Sequence, residues 1–164
     1  MSLVVYAEAS AGTNPGHMVI GQEPIGDVPG YFGYRFDPAD LPEEYRLPEQ
    51  WRNYLFDHAI RGKIVDETAY VSHLLSLGEG ARIYYEKRAE CAIPIESRLP
   101  PRDDWEPHAW YSFNPDNPHP DRQPCYNCVK WAIIIANSLV EGFLIPVHQG
   151  RLKRVLEQLQ KLPS

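Results

Sequence analysis

The chain has 164 residues, a formal net charge of −6, 43% hydrophobic residues, 16 prolines and three cysteines. That length fits a single domain, large enough to bury a core without disulfide staples. The acidic balance argues against nucleic acid as a partner, because a phosphate backbone calls for a clustered basic face.

Leu3 to Ala7 reads as a strand, Ala11 to Pro15 as a turn cluster, and Gly16 to Gly21 as a second strand. After a segment broken by Pro24, Gly26, Pro29 and Gly30, the aromatic run Tyr31 to Phe36 predicts a third strand, completing a small antiparallel meander. Pro48 suits a first helical turn, and Trp51, Tyr54, Leu55 and His58 recur at helical spacing. They predict a helix over about Glu49 to Arg61, stopped by Gly62 and inserted between strands (about 48–62). Lys63 to Asp66, Ala69 to Leu75, Ala81 to Lys87 and Glu90 to Ile95 read as further strands, with Gly78 and Gly80 in a turn.

Half of the prolines fall between Pro94 and Pro124, and no periodicity survives from Glu96 to Gln123, which predicts a long loop (about 96–124). Its Trp105 and Trp110, with Tyr111 and Phe113, either anchor the loop or line a groove. Asn127 to Glu141 carries the clearest helical pattern. Asn127 can cap it, Gly142 can stop it, and apolar residues occupy nearly every face, so this helix should be buried. A last amphipathic helix, about Gly150 to Leu162, presents Leu152, Val155, Leu156, Leu159 and Leu162 on one face. Its Arg151, Lys153, Arg154 and Lys161 could suggest a membrane surface, but its length and the chain's acidity favour packing on the domain. The expected fold is α+β, an antiparallel sheet packed against a buried central helix.

The odd cysteine count does not suit a secreted disulfide scaffold and leaves reduced thiols, a metal site or a reactive cysteine. Residues 1–10 lack the basic and apolar regions of a signal peptide, and no run approaches the ~18 apolar residues of a membrane span. The expected location is the cytoplasm, or outside the cell by a route without a cleaved leader.

Cys128 opens the buried helix. A thiol in a helix's first turn feels the partial positive charge of exposed N–H groups, which favours the thiolate and offers donors to a developing oxyanion. The alternative is a small apolar core residue. His17, in the strand Gly16-His17-Met18-Val19-Ile20, points away from Met18 and could meet a helix laid across the sheet. There it would act as a base for Cys128.

Four pieces in this order carry a resemblance: Gly16-His17-Met18-Val19-Ile20, then Tyr31-Phe32-Gly33-Tyr34 with Asp37-Pro38, then Gly62-Lys63-Ile64-Val65-Asp66-Glu67, and Tyr126-Asn127-Cys128 opening an apolar helix. The set resembles the circularly permuted papain-like superfamily, which includes NlpC-type peptidases, lecithin retinol acyltransferase-like enzymes and bacterial effector acyltransferases. The resemblance implies a cysteine hydrolase or acyltransferase with a Cys-His-Asp-type triad, acting on a protein, peptide or lipid acyl group without metal or organic cofactor. Such a chain could be an effector or toxin. Asp66 is the first choice to orient His17, with Glu67 and Asp37 as alternatives, because one residue of register decides which side chain faces inward. Tyr126 touches Asn127 without the family's usual spacer, and residues 96–123 match nothing in it.

The rival reading uses the same cysteine. Cys125 and Cys128 form C-x-x-C, and with His108 and His119 they could hold zinc in a non-enzymatic binding module. A redox C-x-x-C lacks the βαβ pattern that usually precedes it.

Overall fold

The computed structural model describes residues 2–23, 30–78, 83–91, 93–105, 107, 109–116, 120–140 and 152–161. Seven strands form one sheet: β1 Ser2–Glu8, β2 His17–Glu23, β3 Tyr31–Phe36, β4 Ile60–Asp66, β5 Ile83–Glu90, β6 Ala109–Tyr111 and β7 Cys125–Tyr126, in the order β5-β1-β2-β3-β4-β6-β7. Among the described residues four helices accompany it: α1 Pro48–Leu55, α2 Thr68–Ser76, α3 Cys128–Leu139 and α4 Leu152–Lys161. The class is α+β. The sheet is mixed rather than antiparallel, because β7 runs parallel to β6. A loop that returns the chain to the same end of the sheet, in place of a hairpin, forces that direction.

β1 shows why its sequence is a continuous apolar run. Leu3, Val5 and Ala7 face the main core with α3, while Val4 and Tyr6 face a second cluster with Val19, Tyr31 and Val71 of α2. A strand covered on both faces has no polar alternation. α3 lies across β2 and β3, with Cys128, Val129, Trp131, Ala132, Ile133, Ala136 and Leu139 buried. Each large apolar side chain there contributes roughly 1.5–3 kcal/mol by leaving water. The Asn127 side chain accepts from the Lys130 N–H at 2.7 Å, which fixes the first turn and hence the position of Cys128.

Four expectations change. The helix expected over Glu49 to Arg61 ends at Leu55, and Ile60 and Arg61 belong to β4, where Ile60 opposes Tyr111 and Gly62 opposes both Phe36 and Ala109. α1 still lies between paired strands, since β3 and β4 are antiparallel neighbours. Ala69 to Leu75 is not a strand but part of α2. The Asp66 carboxylate accepts from the Thr68 N–H (3.0 Å) and hydroxyl (2.7 Å), starting the helix, and Val71 and Leu74 are buried one turn apart. In place of the strands expected over Ala81 to Lys87 and Glu90 to Ile95 there is one, β5, followed by a short 3₁₀ turn at Ile95–Arg98. The Gln22 side chain accepts from the Ile95 N–H (2.6 Å) and donates to the Ile93 carbonyl (2.8 Å), so these residues leave the sheet. The long loop contains β6, recruited by β4 rather than by any local pattern. Gly80 and Gly142 lie outside the described residues.

Trp105 is a loop anchor, edge-on to Phe32 at 5.6 Å with its indole N–H donating to the Pro100 carbonyl. In α4, Val155, Leu156 and Leu159 are buried in the main core, so its apolar face is covered within the protein. Among the described residues no helix is long and apolar enough to cross a membrane.

Candidate active site

His17 is the first residue of β2, and Cys128 is the first of α3; each is 7% exposed. The turn before His17 is braced by its own side chains. Asn14 accepts from the Gly16 N–H (2.9 Å) and donates to Glu8 (2.9 Å), and Ser10 donates to the Pro15 carbonyl (2.7 Å). Gly16 has φ +80°, and a Cβ there would stand 2.7 Å from the Glu8 carbonyl oxygen, so only glycine delivers the chain to His17 in this way.

The imidazole lies between two partners. Its Nε2 is 3.0 Å from Glu67 Oε1, and the ring is within hydrogen-bond reach of the Cys128 thiol, which leaves Nδ1 for the sulfur. Burial pulls His17 toward its neutral form, but the bonds to Cys128 and Glu67 together outweigh it and raise its pKa. Burial likewise pushes the Cys128 thiol up. Its bond to His17, the His17 charge, the Met18 backbone N–H and the Tyr111 hydroxyl reverse this and bring it below an ordinary thiol. The two shifts run in the directions that favour a thiolate–imidazolium pair. The Tyr111 hydroxyl lies beside both the backbone and the side chain of Cys128.

Glu67, the residue before α2, is 2% exposed. Burial pushes its carboxyl up, and the bonds from His17 and Arg35 bring it below the ordinary range. Arg35 spans the carboxylate as a fork, Nε to Oε1 at 2.5 Å and Nη2 to Oε2 at 3.0 Å. The aromatic ring of Tyr70 lies 4.9 Å from the Arg35 guanidinium carbon and edge-on to His17 at 5.3 Å, and its hydroxyl donates to Glu8. Gly33 makes room for the group, since a Cβ there would stand 2.6 Å from Glu67 Oε1 and 3.0 Å from His17 Nε2.

Of the residues read from the sequence, Cys128 and His17 meet. Asp66, the first choice as third member, does not reach His17: its Oδ1 is held by Thr68, and its Oδ2 is 3.6 Å from Arg102. Asp37 is exposed and caps a 3₁₀ turn by accepting from the Ala39 N–H. The carboxylate that reaches His17 is that of Glu67, which follows the strand's last residue. Sequence reasoning missed Arg35 and gave Tyr111 only a possible groove. Gly33 and Arg35, two residues apart on one face of β3, were the available signal for a buried carboxylate beside them.

Two clefts meet at the pair. The larger, about 840 Å³, runs between α1 and α4 and opens on Cys128, Val129, Phe113, Arg52 and Lys153. The smaller, about 390 Å³, is lined by His17, Arg35, Phe36, Trp51 and Tyr70. Both share the turn Thr13–Gly16, Pro48 and Tyr111 as a common rim.

Cys125 is buried in β7, and burial pushes its thiol up to about 11; Cys91 is also raised by burial. All three cysteines are free thiols. His108 and His119, the other members of the expected zinc set, lie outside the described residues. Among the described residues no group of three His, Cys, Asp or Glu side chains is arranged to hold a metal ion. No family model, curated protein or solved structure matches this chain.

Proposed function

We propose that the protein is a thiol-dependent acyl-transfer enzyme in which Cys128 is the nucleophile, His17 the general base and acid, and Glu67 the residue that orients His17. The carrying observation is that the buried His17 hydrogen-bonds Glu67 and lies beside the Cys128 thiol at the start of a buried helix, open to a cleft. It supports the papain-like resemblance, with Glu67 in place of Asp66.

The chemistry needs no metal or organic cofactor. The Cys128 thiolate attacks the carbonyl carbon of a protein, peptide or lipid acyl donor, forming a tetrahedral oxyanion near the α3 N-terminus. The Tyr111 hydroxyl, beside Cys128, is the adjacent donor for that charge. Collapse expels the leaving group, which takes a proton from the His17 imidazolium. Neutral His17 then removes a proton from water or an amine, which attacks the thioester and releases Cys128. Glu67 keeps Nδ1 turned to sulfur and favours the imidazolium.

The test is alkylation by iodoacetamide near pH 6. Cys91 and Cys125 have raised pKa values and stay protonated there, so wild type should take about one label per chain, on Cys128. Cys128→Ala should abolish it. Labelling that survives in Cys128→Ala, or that needs alkaline pH in wild type, refutes the assignment.

A further inference from the structure

We infer that Arg35 is a positioning residue of this site, holding Glu67 in the one orientation and charge state that serve His17; this rests on the acyl-transfer reading above. Glu67 is a flexible side chain with an equally acidic neighbour, so something must decide which carboxylate serves the imidazole and which oxygen it offers. The end of β4 makes the first choice, and Arg35 makes the second. Its fork fixes the carboxylate plane, and Oε1 receives Arg35 Nε and His17 Nε2 together. Asp66 is meanwhile engaged by Thr68 and Arg102. Arg35 in turn is held over Tyr70, whose hydroxyl is tied to Glu8. The arrangement therefore extends from Cys128 to β1 through five side chains. Lysine could supply the charge but not the fork.

The groups facing Glu67 are His17 from β2, Arg35 from β3 and Tyr70 from α2, with Cys128 from α3, Tyr111 from β6 and Glu8 from β1 one contact further out. Arg35 is the one permanent cation among them. Removing it makes every neighbouring group hold its proton to higher pH. In the pH profile of Cys128 alkylation, the acid limb reports Cys128 and the alkaline limb reports His17. Arg35→Gln should therefore move both limbs upward, by about one unit, a tenfold fall in rate on the acid limb. A site merely loosened would do otherwise: its limbs would converge, the acid one rising and the alkaline one falling toward ordinary values.

The experiment is iodoacetamide alkylation of purified wild type, Arg35→Gln, Arg35→Lys, Glu67→Gln and the double variant Arg35→Gln/Glu67→Gln, from pH 4 to 10. Arg35→Lys should keep its limbs closer to wild type than Arg35→Gln does, while its plateau rate falls; it also serves if Arg35→Gln does not fold. On the Glu67→Gln background, Arg35→Gln should leave the plateau rate unchanged. Limbs that stay at the wild-type pH or converge overturn the inference, as does a full further loss of plateau rate in the double variant. A wild-type acid limb at an ordinary thiol's pH overturns the nucleophile assignment instead. In that event the His17 titration, followed by NMR, still decides Arg35: an upward move in Arg35→Gln supports it and no move overturns it.

Discussion

Substituting the two adjacent carboxylates separately should give two different failures. Glu67→Gln keeps shape and one acceptor but removes the charge that meets the His17 Nε2–H at 3.0 Å. A hydrogen bond to a charged group contributes about 1.5–3 kcal/mol, so the imidazolium should lose its proton one to two pH units earlier. The alkaline limb of Cys128 alkylation should fall by that amount, and turnover of any acyl substrate should fall more, because the tautomer is no longer held. Stability should drop by roughly 3 kcal/mol, the low end for a broken buried ion pair, because Arg35 is 37% exposed and can recover water. Asp66→Asn keeps an acceptor for Thr68 and should instead cost at most about 0.5 kcal/mol at the start of α2, with both limbs in place. The assays are the alkylation rate against pH and the urea midpoint. A Glu67→Gln profile that overlays wild type, or an Asp66→Asn profile that moves as Glu67→Gln should, refutes the assignment of Glu67.

Further outcomes follow from the same geometry. Gly33→Ala places a methyl group against Glu67 Oε1 and His17 Nε2, so it should cost about 1–3 kcal/mol and abolish acid-pH labelling. Retained labelling with wild-type stability would contradict it. Asn127→Ala removes the α3 cap and should lower stability by about 1 kcal/mol, shifting the thermal midpoint by about 2–4 °C. For pH, the depressed Glu67 pKa means that its stabilisation is present above 4.5 and lost as pH falls through the folded value. The raised His17 pKa means that its stabilisation is full below 6.5 and lost as pH rises through the folded value. The urea midpoint of wild type should therefore decline at both ends, and Glu67→Gln should flatten the acid decline.

The elements legible in the sequence were those whose cause is local. The apolar run of β1, the aromatic β3 and the capped, all-apolar α3 each follow from neighbours within a few residues, and α3 with its Asn127 cap located Cys128. α2 was misread because Val71 and Tyr70 favour strands locally. Its helix is settled by the Asp66 bonds to Thr68 and by packing of Val71 against Tyr6, Val19 and Tyr31 from three different strands. β6 carries no local signal at all, yet it brings Tyr111 to the sulfur.

The sequence by itself determined the places of Cys128, at the start of a buried helix, and His17, on a strand, because caps and periodicity are local properties. Only the tertiary structure decided which carboxylate reaches His17. Asp66 and Glu67 have the same chemistry and differ by one residue of register, so the choice belongs to the space beside Gly33 and the charge of Arg35, both contributed by another strand.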